Sequence, residues 1–210
     1  SKKINVDDIQ YLSEDALNDF VAIPYIGLLR EGIMPWTCKK FKIAYSYKKK
    51  RVIIPHYHWL TGELVGINAR TTIDNYDLFG IKKYYITPTY KKALNIYGLY
   101  ENYDEIQKAG YVVVFEAEKS VLKRDTFQDN TCVAISGHTL STEQVRILIG
   151  LNVDIVIAMD NDVSESEIEF MCSKFYGIRN VYYIKDTFNL LDSKDSPCDK
   201  GNKIYNFLFK

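Results

Sequence analysis

The chain has 210 residues, with 27 lysines and arginines against 27 aspartates and glutamates, so its formal net charge is zero; 47% of it is hydrophobic and 26% charged. That composition supports a real core in one or two domains and excludes disorder as the general state. No apolar run approaches the roughly 18 residues of a membrane span, and the N-terminal Ser-Lys-Lys-Ile carries no apolar signal segment, so a cytoplasmic protein that does not enter membranes is expected.

Residues 5–32 read as helical: Ser13, Glu14 and Asp15 resemble an N-cap with acids in the first turn, and Gly32 then Pro35 close the region. Short β runs follow at 41–46, 51–55 and 63–68, with Thr61-Gly62 as the turn between the last two. Residues 71–82 are turn-rich, 84–86 suit a short strand and 90–96 a short helix. No element is assigned to 97–110. After Gly110 the pattern becomes regular: apolar runs at 111–115, 132–135, 154–159 and 181–184 alternate with helical stretches at 118–124, 141–149, 164–175 and 203–209. Continuous apolar strands alternating with helices predict a parallel sheet covered on both faces. The fold class expected is therefore an α+β basic subdomain over 1–110 followed by an α/β, Rossmann-like domain over 111–210.

The zero net charge hides an asymmetry. Up to Gly110 the chain has 16 basic and 12 acidic residues, and beyond it 11 and 15. Within 39–92, 12 basic residues face only Glu63, Asp74 and Asp77. A basic part beside an acidic one points to a polyanion held by the first and cations by the second, although the run Lys48–Arg51 taken alone also suits a solvated turn. The four cysteines, Cys38, Cys132, Cys172 and Cys198, form no CxxC pair. They read as buried or free thiols rather than a zinc site or a disulfide framework. His56 and His58, at i and i+2 with no third ligand nearby, read as surface or nucleic-acid contacts rather than zinc ligands.

The informative acids stand where apolar runs end. Glu116 follows the first run, Asp160-Asn161-Asp162 the third, and Asp192, Asp195 and Asp199 lie beyond the fourth. In a parallel sheet these ends share one edge. Carboxylates gathered there repel one another, and a divalent cation with hard oxygen ligands, magnesium or manganese, relieves the repulsion. The plainer role for Asp162 or Ser164 is to cap the next helix.

Residues 111–200 resemble the Toprim domain. The matching features are Glu116 closing VVVFE, Gly137 in ISGHT, and Asp160 with Asp162 in IAMDND. Before them, RVIIP at 51–55, GELVGINAR at 62–70, KYYITP at 83–88 and IYGL at 96–99 resemble the basic subdomain of DnaG-type primases. The resemblance covers roughly 40–200 and suits a phage or mobile-element member. It implies a primase that makes short RNA primers on single-stranded DNA from ribonucleoside triphosphates. Glu116, Asp160 and Asp162 would be catalytic and, with Asp195 and Asp199 as counterparts of a late acidic motif, would hold two or more Mg2+ or Mn2+ ions. Arg51, Arg70 and Lys83 fall on the template-binding ridge, and Lys82 and Lys92 join them by proximity. Lys119, beside Glu116, is a candidate triphosphate contact or a plain helix-surface lysine. Tyr84, Tyr85 and Tyr90 lie among these lysines, where bases could stack on them.

Three departures stand out. Ser120 replaces the Asp expected four residues after Glu116, His138 replaces a Thr, and Asp195-Ser-Pro-Cys-Asp199 replaces a tighter Asp-Pro-Asp. The chain reads as a catalytic core without the zinc-ribbon or the helicase-binding domain, so no zinc is expected and any replicative helicase would be met through other domains. Two other readings share these residues: a Toprim nuclease, and a non-catalytic single-stranded nucleic-acid-binding module. A topoisomerase would need further domains.

Overall fold

The computed structural model describes residues 9–210. Contacts divide the chain into two compact units, one ending at Lys91 and one spanning Lys92–Lys210. The helical expectation for 5–8 lies outside the described residues.

Beyond it, the continuous helix expected up to residue 32 is absent. Ser13 does cap a turn, a 3-10 helix over Glu14–Leu17. Val21 then pairs in the manner of a strand with Tyr45, and Pro24 interrupts before α1 (Ile26–Arg30) begins. Gly32, at φ +84°, ends α1: the Ile33 N–H reaches Leu28 O and the Gly32 N–H reaches Leu29 O, a Schellman closure that needs the left-handed conformation. Pro35 opens a helix instead of closing one, standing at the first position of α2 (Pro35–Lys40), where its missing N–H costs nothing.

The first unit is built on an antiparallel sheet in chain order, β1 (Ala44–Ser46), β2 (Arg51–Tyr57), β3 (Leu64–Thr71) and β4 (Tyr84–Ile86). The register shifts between His56 and Tyr57, a bulge that re-aims the strand end. This corrects the reading of the two histidines as surface groups. His56 is fully buried, its Nδ1 2.8 Å from the Tyr90 hydroxyl, and His58 is buried with Nδ1 accepting the Thr61 N–H. Gly66, opposite His56, makes room for this packing, since a Cβ there would stand 2.2 Å from the Tyr90 ring. Tyr90 is thereby spent inside the fold rather than offered to a base.

In the second unit the helix expected at 90–96 shrinks to a 3-10 turn over Lys92–Leu94. An unassigned stretch forms α3 (Leu99–Ala109), bounded by Gly98 and Gly110, both at positive φ. The strands β5 (Tyr111–Phe115), β6 (Cys132–Ala134), β7 (Asp154–Ala158) and β8 (Val181–Tyr183) make a parallel sheet in the order β6-β5-β7-β8. Helices α4 (Glu118–Thr126), α5 (Thr142–Gly150), α6 (Glu165–Ser173) and α7 (Asn202–Leu208) complete the alternation. The core is the apolar strand interior, with Val112, Val113, Val114 and Phe115 all fully buried. Buried Arg124 of α4 binds Asn202 and lies 3.7 Å over the Tyr205 ring, fastening α7 to the unit. All four cysteines are free and buried.

Candidate active site

The parallel register puts Phe115 beside Ala158 on one side and Ala134 on the other. The loops leaving these strands therefore open at one rim, carrying Glu116, Ser136-Gly137 and Asp160-Asn161-Asp162. Ser164, not Asp162, caps α6, in a reciprocal box with Glu167. The capping role is thus filled elsewhere and the Asp162 carboxylate is left for other use. Likewise Ala117 is the N-cap of α4 and makes no side-chain cap bond, so Glu116 does not serve there.

Glu116 has one carboxylate oxygen 2.9 Å from Nδ1 of His138. Its other oxygen, Oε2, and Oδ1 of Asp160 are buried without a hydrogen-bond partner. Buried carboxylate oxygens left without donors are costly. The strain shows in the acidities. Burial, and after it the charges of Glu116, Asp199 and Asp162, push Asp160 up to about 7 against the pull of His138. Burial also raises Glu116, with Asp162 adding to it, while His138 and Lys92 pull the other way. Glu116, Asp160, Asp162 and Asp199 thus feel one another, as strand-end placement predicts. Carboxylate oxygens are the ligand type that hard divalent cations take. Among the described residues no group of three or more His, Cys, Asp or Glu is arranged to hold a metal ion.

The late acids are differently occupied. Asp199 pairs with Lys123 at 2.5 Å and accepts the Ser196 N–H at 2.9 Å. Asp195 accepts the Asp192 N–H and pairs with Lys200 at 3.1 Å; burial pushes it up, but these partners hold it below the usual carboxylate range. Asn161 stitches this segment to the rim, its N–H reaching Asp195 O. Ser120, where an Asp was expected, is buried and bonded to the Ser196 hydroxyl at 2.9 Å.

Two groups that motif reading passed over shape the rim. Gln144 is buried and shares its amide hydrogens among the carbonyls of Lys92, Asn95 and Ile135. Ser136 takes the left-handed conformation at φ 56°, held by its hydroxyl on Glu118 and by Lys92 on its carbonyl. A capping-box Gln is visible in sequence, but its reach to other loops is not. Lys92, expected on the basic ridge, belongs to the second unit, with Nζ 2.8 Å from Ser136 O and its charge acting on Glu116. Lys119 is half-buried in the first turn of α4.

In the first unit, Arg51 is committed to backbone: its guanidinium donates to the carbonyls of Ala69, Lys82 and Lys83. Arg70 lies 3.8 Å from Glu31 and, with Lys83, Arg30 and Tyr76, lines a cavity of about 380 Å³. Lys82 and Lys83 are exposed, as is Tyr85, with Lys49 5.9 Å over its ring.

No family model matches the chain. It is 30% identical to the SPbeta prophage-derived uncharacterized protein YorJ of Bacillus subtilis (strain 168), over all of this chain and 62% of that protein. It is 29% identical to the DNA primase of Buchnera aphidicola subsp. Baizongia pistaciae, over 76% of this chain and 27% of that one. Among solved structures, the RNA polymerase domain of Mycobacterium tuberculosis primase DnaG, in complex with a double-stranded DNA oligomer bearing a 6-nucleotide overhang, superposes with a TM-score of 0.67 at 18% identity, covering 87% of this chain and 71% of that one. The chain thus spans under two thirds of the length of the curated relatives it matches. It resembles DnaG-type primase cores in sequence and has their fold, as its motifs imply. Among the described residues no helix is long and apolar enough to cross a membrane.

Proposed function

We propose that this chain is the catalytic core of a DnaG-type primase, a Toprim nucleotidyltransferase that joins ribonucleotides on a single-stranded DNA template. The observation that carries the reading is the pair of buried, partnerless oxygens, Glu116 Oε2 and Asp160 Oδ1, at adjacent strand ends of a primase-like fold. Priming asks for attack of a 3′-hydroxyl on an α-phosphate with loss of pyrophosphate, a step that rests on positioning and charge stabilisation rather than on covalent help from the protein. Glu116, Asp160 and Asp162 would hold magnesium or manganese. A divalent cation so bound would supply charge neutralisation for the triphosphate and a more acidic hydroxyl.

The chain's own residues do the rest. His138 keeps one Glu116 oxygen engaged and so turns the other inward. Lys92, fixed on Ser136 O, offers a positive charge at the rim, and Lys119 is a further candidate for the triphosphate. Arg70, Lys82 and Lys83 of the first unit neutralise template phosphates without reading sequence. Arg51 serves them by holding the 82–83 backbone.

The test is primer synthesis with single-stranded DNA, labelled ribonucleotides and magnesium or manganese. Short RNA products that vanish in Asp160→Asn while the fold persists support the reading. Cut DNA without RNA products would replace it with a nuclease, and equal synthesis by Asp160→Asn would remove the carboxylates from the mechanism.

A further inference from the structure

We propose that the loop joining β3 to β4 is a base-stacking tip: Phe79, with Leu78 beside it, packs against an unpaired base of single-stranded DNA while the lysines at the foot of the loop meet the strand's phosphates. The inference rests on the primase reading above and deepens it. The motifs that carry the resemblance stop at Arg70 and resume at Lys83, so they assign no role to the residues between.

Within IDNYDLFGI at 73–81 the apolar residues have opposite fates. Tyr76 and Ile81 are half-buried, whereas Leu78 is 79% and Phe79 70% exposed, the highest values of any large apolar side chain among the described residues. A single exposed apolar residue needs no explanation. Two adjacent ones at the tip of an ordered turn are an apolar patch of the kind that contacts a partner. The backbone makes this arrangement. The Ile81 N–H reaches Tyr76 O at 2.9 Å and the Gly80 N–H reaches Asp77 O at 3.0 Å, with Gly80 at φ +64°. That is a Schellman closure, in which the side chains at the Tyr76 and Ile81 positions turn toward each other. Leu78 and Phe79, on the turn between them, are left facing solvent.

The foot of the loop is both tied down and basic. The Thr71 N–H donates to Lys83 O at 2.9 Å, the Thr72 N–H and hydroxyl both donate to Lys50 O, and the Arg51 guanidinium spans the carbonyls of Lys82 and Lys83. These bonds hold Lys50 against the loop's entry and fix Lys82 and Lys83 at its exit. Lys48, Lys49, Lys50, Lys82 and Lys83 are all exposed, against Asp74 and Asp77. A tip held in this way loses little freedom on binding. An apolar ring beside clustered cations matches a strand that offers phosphates and open base faces, and stacking accepts any base because each has a π-face. In a duplex those faces are covered by their neighbours, so the single strand is the form selected. A surface of anionic lipid would meet the same lysines, but membrane affinity scales with buried apolar area, and two side chains supply little.

The experiment titrates the full chain against a labelled oligothymidylate and against the same strand with abasic sites, over a range of salt. Phe79→Ala should weaken binding to the intact strand about ten-fold. The slope of log affinity against log salt should stay as it is, because no phosphate contact is lost. The wild type should prefer the intact strand to the abasic one, and Phe79→Ala should lose most of that preference. Phe79→Trp should restore both affinity and preference. The ring is exposed, so neither variant should alter the melting temperature. Equal affinity of wild type and Phe79→Ala for the intact strand, with the salt slope present in both, would overturn the inference and leave the primase reading standing. Binding to phosphatidylserine vesicles that Phe79→Ala abolishes, with DNA affinity unchanged, would overturn it in favour of a lipid surface. No binding of the intact strand by the wild type, together with no primer synthesis, would overturn the primase reading itself.

Discussion

Each unit holds one four-stranded sheet, yet the two sheets dispose of their charges in opposite ways. In the antiparallel sheet, strand ends alternate in direction, so charged residues scatter along strands and turns and find partners nearby. Arg51 binds three carbonyls of its own unit, and Arg70 stands near Glu31. In the parallel sheet every carboxyl end points the same way, so Glu116, Asp160 and Asp162 are delivered to one rim, where they crowd and two buried oxygens go unpartnered. The difference teaches that sheet polarity, more than acid content, concentrates unsatisfied charge into a site.

That comparison requires a stiff rim, and its hardest test is the residue that stiffens it. Gln144 is 2% exposed and donates to three carbonyls from two segments, Lys92 and Asn95 in one turn and Ile135 after β6. Gln144→Leu keeps the volume roughly constant but takes the Gln144 donor from Asn95 O and Ile135 O, while Lys92 O keeps the Asn95 N–H, and each buried group without a partner costs about 1–3 kcal/mol. We expect a loss of about 3–5 kcal/mol in urea unfolding, accompanied by weaker Mn2+ binding. A loss under about 1 kcal/mol would mean that the loops hold themselves and that the rim owes little to Gln144.

Burial and crowding of carboxylates make the stability of the parallel unit fall as pH rises, whereas in the antiparallel unit burial lowers His58 and gives the opposite slope. Asp160 sits at about 7 in the folded chain against an ordinary 3.8. The native state therefore holds a proton that the unfolded chain has released. The associated stability is complete below about pH 4 and is lost as pH rises to about 7. Asp160→Asn removes this slope. Compared with the wild type in chelator, it should gain about 2 kcal/mol between pH 5 and pH 8, a figure already reduced for screening at the open rim. Parallel pH profiles for the two proteins would show the crowding to be relieved by other means.

The sequence revealed the second unit better than the first, for a physical reason. Four fully apolar runs separated by helical stretches admit few arrangements, and the strand-end acids follow from them. The helix Leu99–Ala109 escaped because its buried face includes Asn102, a polar residue whose amide bonds Cys132 O, so the apolar period is broken where the packing is not. In the first unit, Ser13 marked a real cap, but the chain beyond it is ruled by Val21 pairing with Tyr45 and by Pro24, tertiary and local effects that helical periodicity does not register. That the loops carrying Glu116, Asp160 and Asp162 open at one edge of the sheet was legible from their spacing. That Lys123 and Lys200 claim Asp199 and Asp195 was not, since those pairings depend on how α4 and the last loop meet.

The smallest expected effect separates the basic residues that brace the first unit from those left for a partner. Arg51 cannot answer the question, because removing its guanidinium also takes a donor from the carbonyls of Ala69, Lys82 and Lys83. Lys82 can: its side chain is exposed, and its removal leaves the Arg51 contact to Lys82 O in place. If it meets template phosphate, Lys82→Ala should weaken single-stranded DNA binding about two- to five-fold at low salt, equally on every sequence, and reduce the slope of log affinity against log salt by about 0.7. Thermal stability should not change. An unaltered slope would place the polyanion-binding face elsewhere on the basic unit, with the cavity lined by Arg70, Lys83 and Arg30 as the next surface to test.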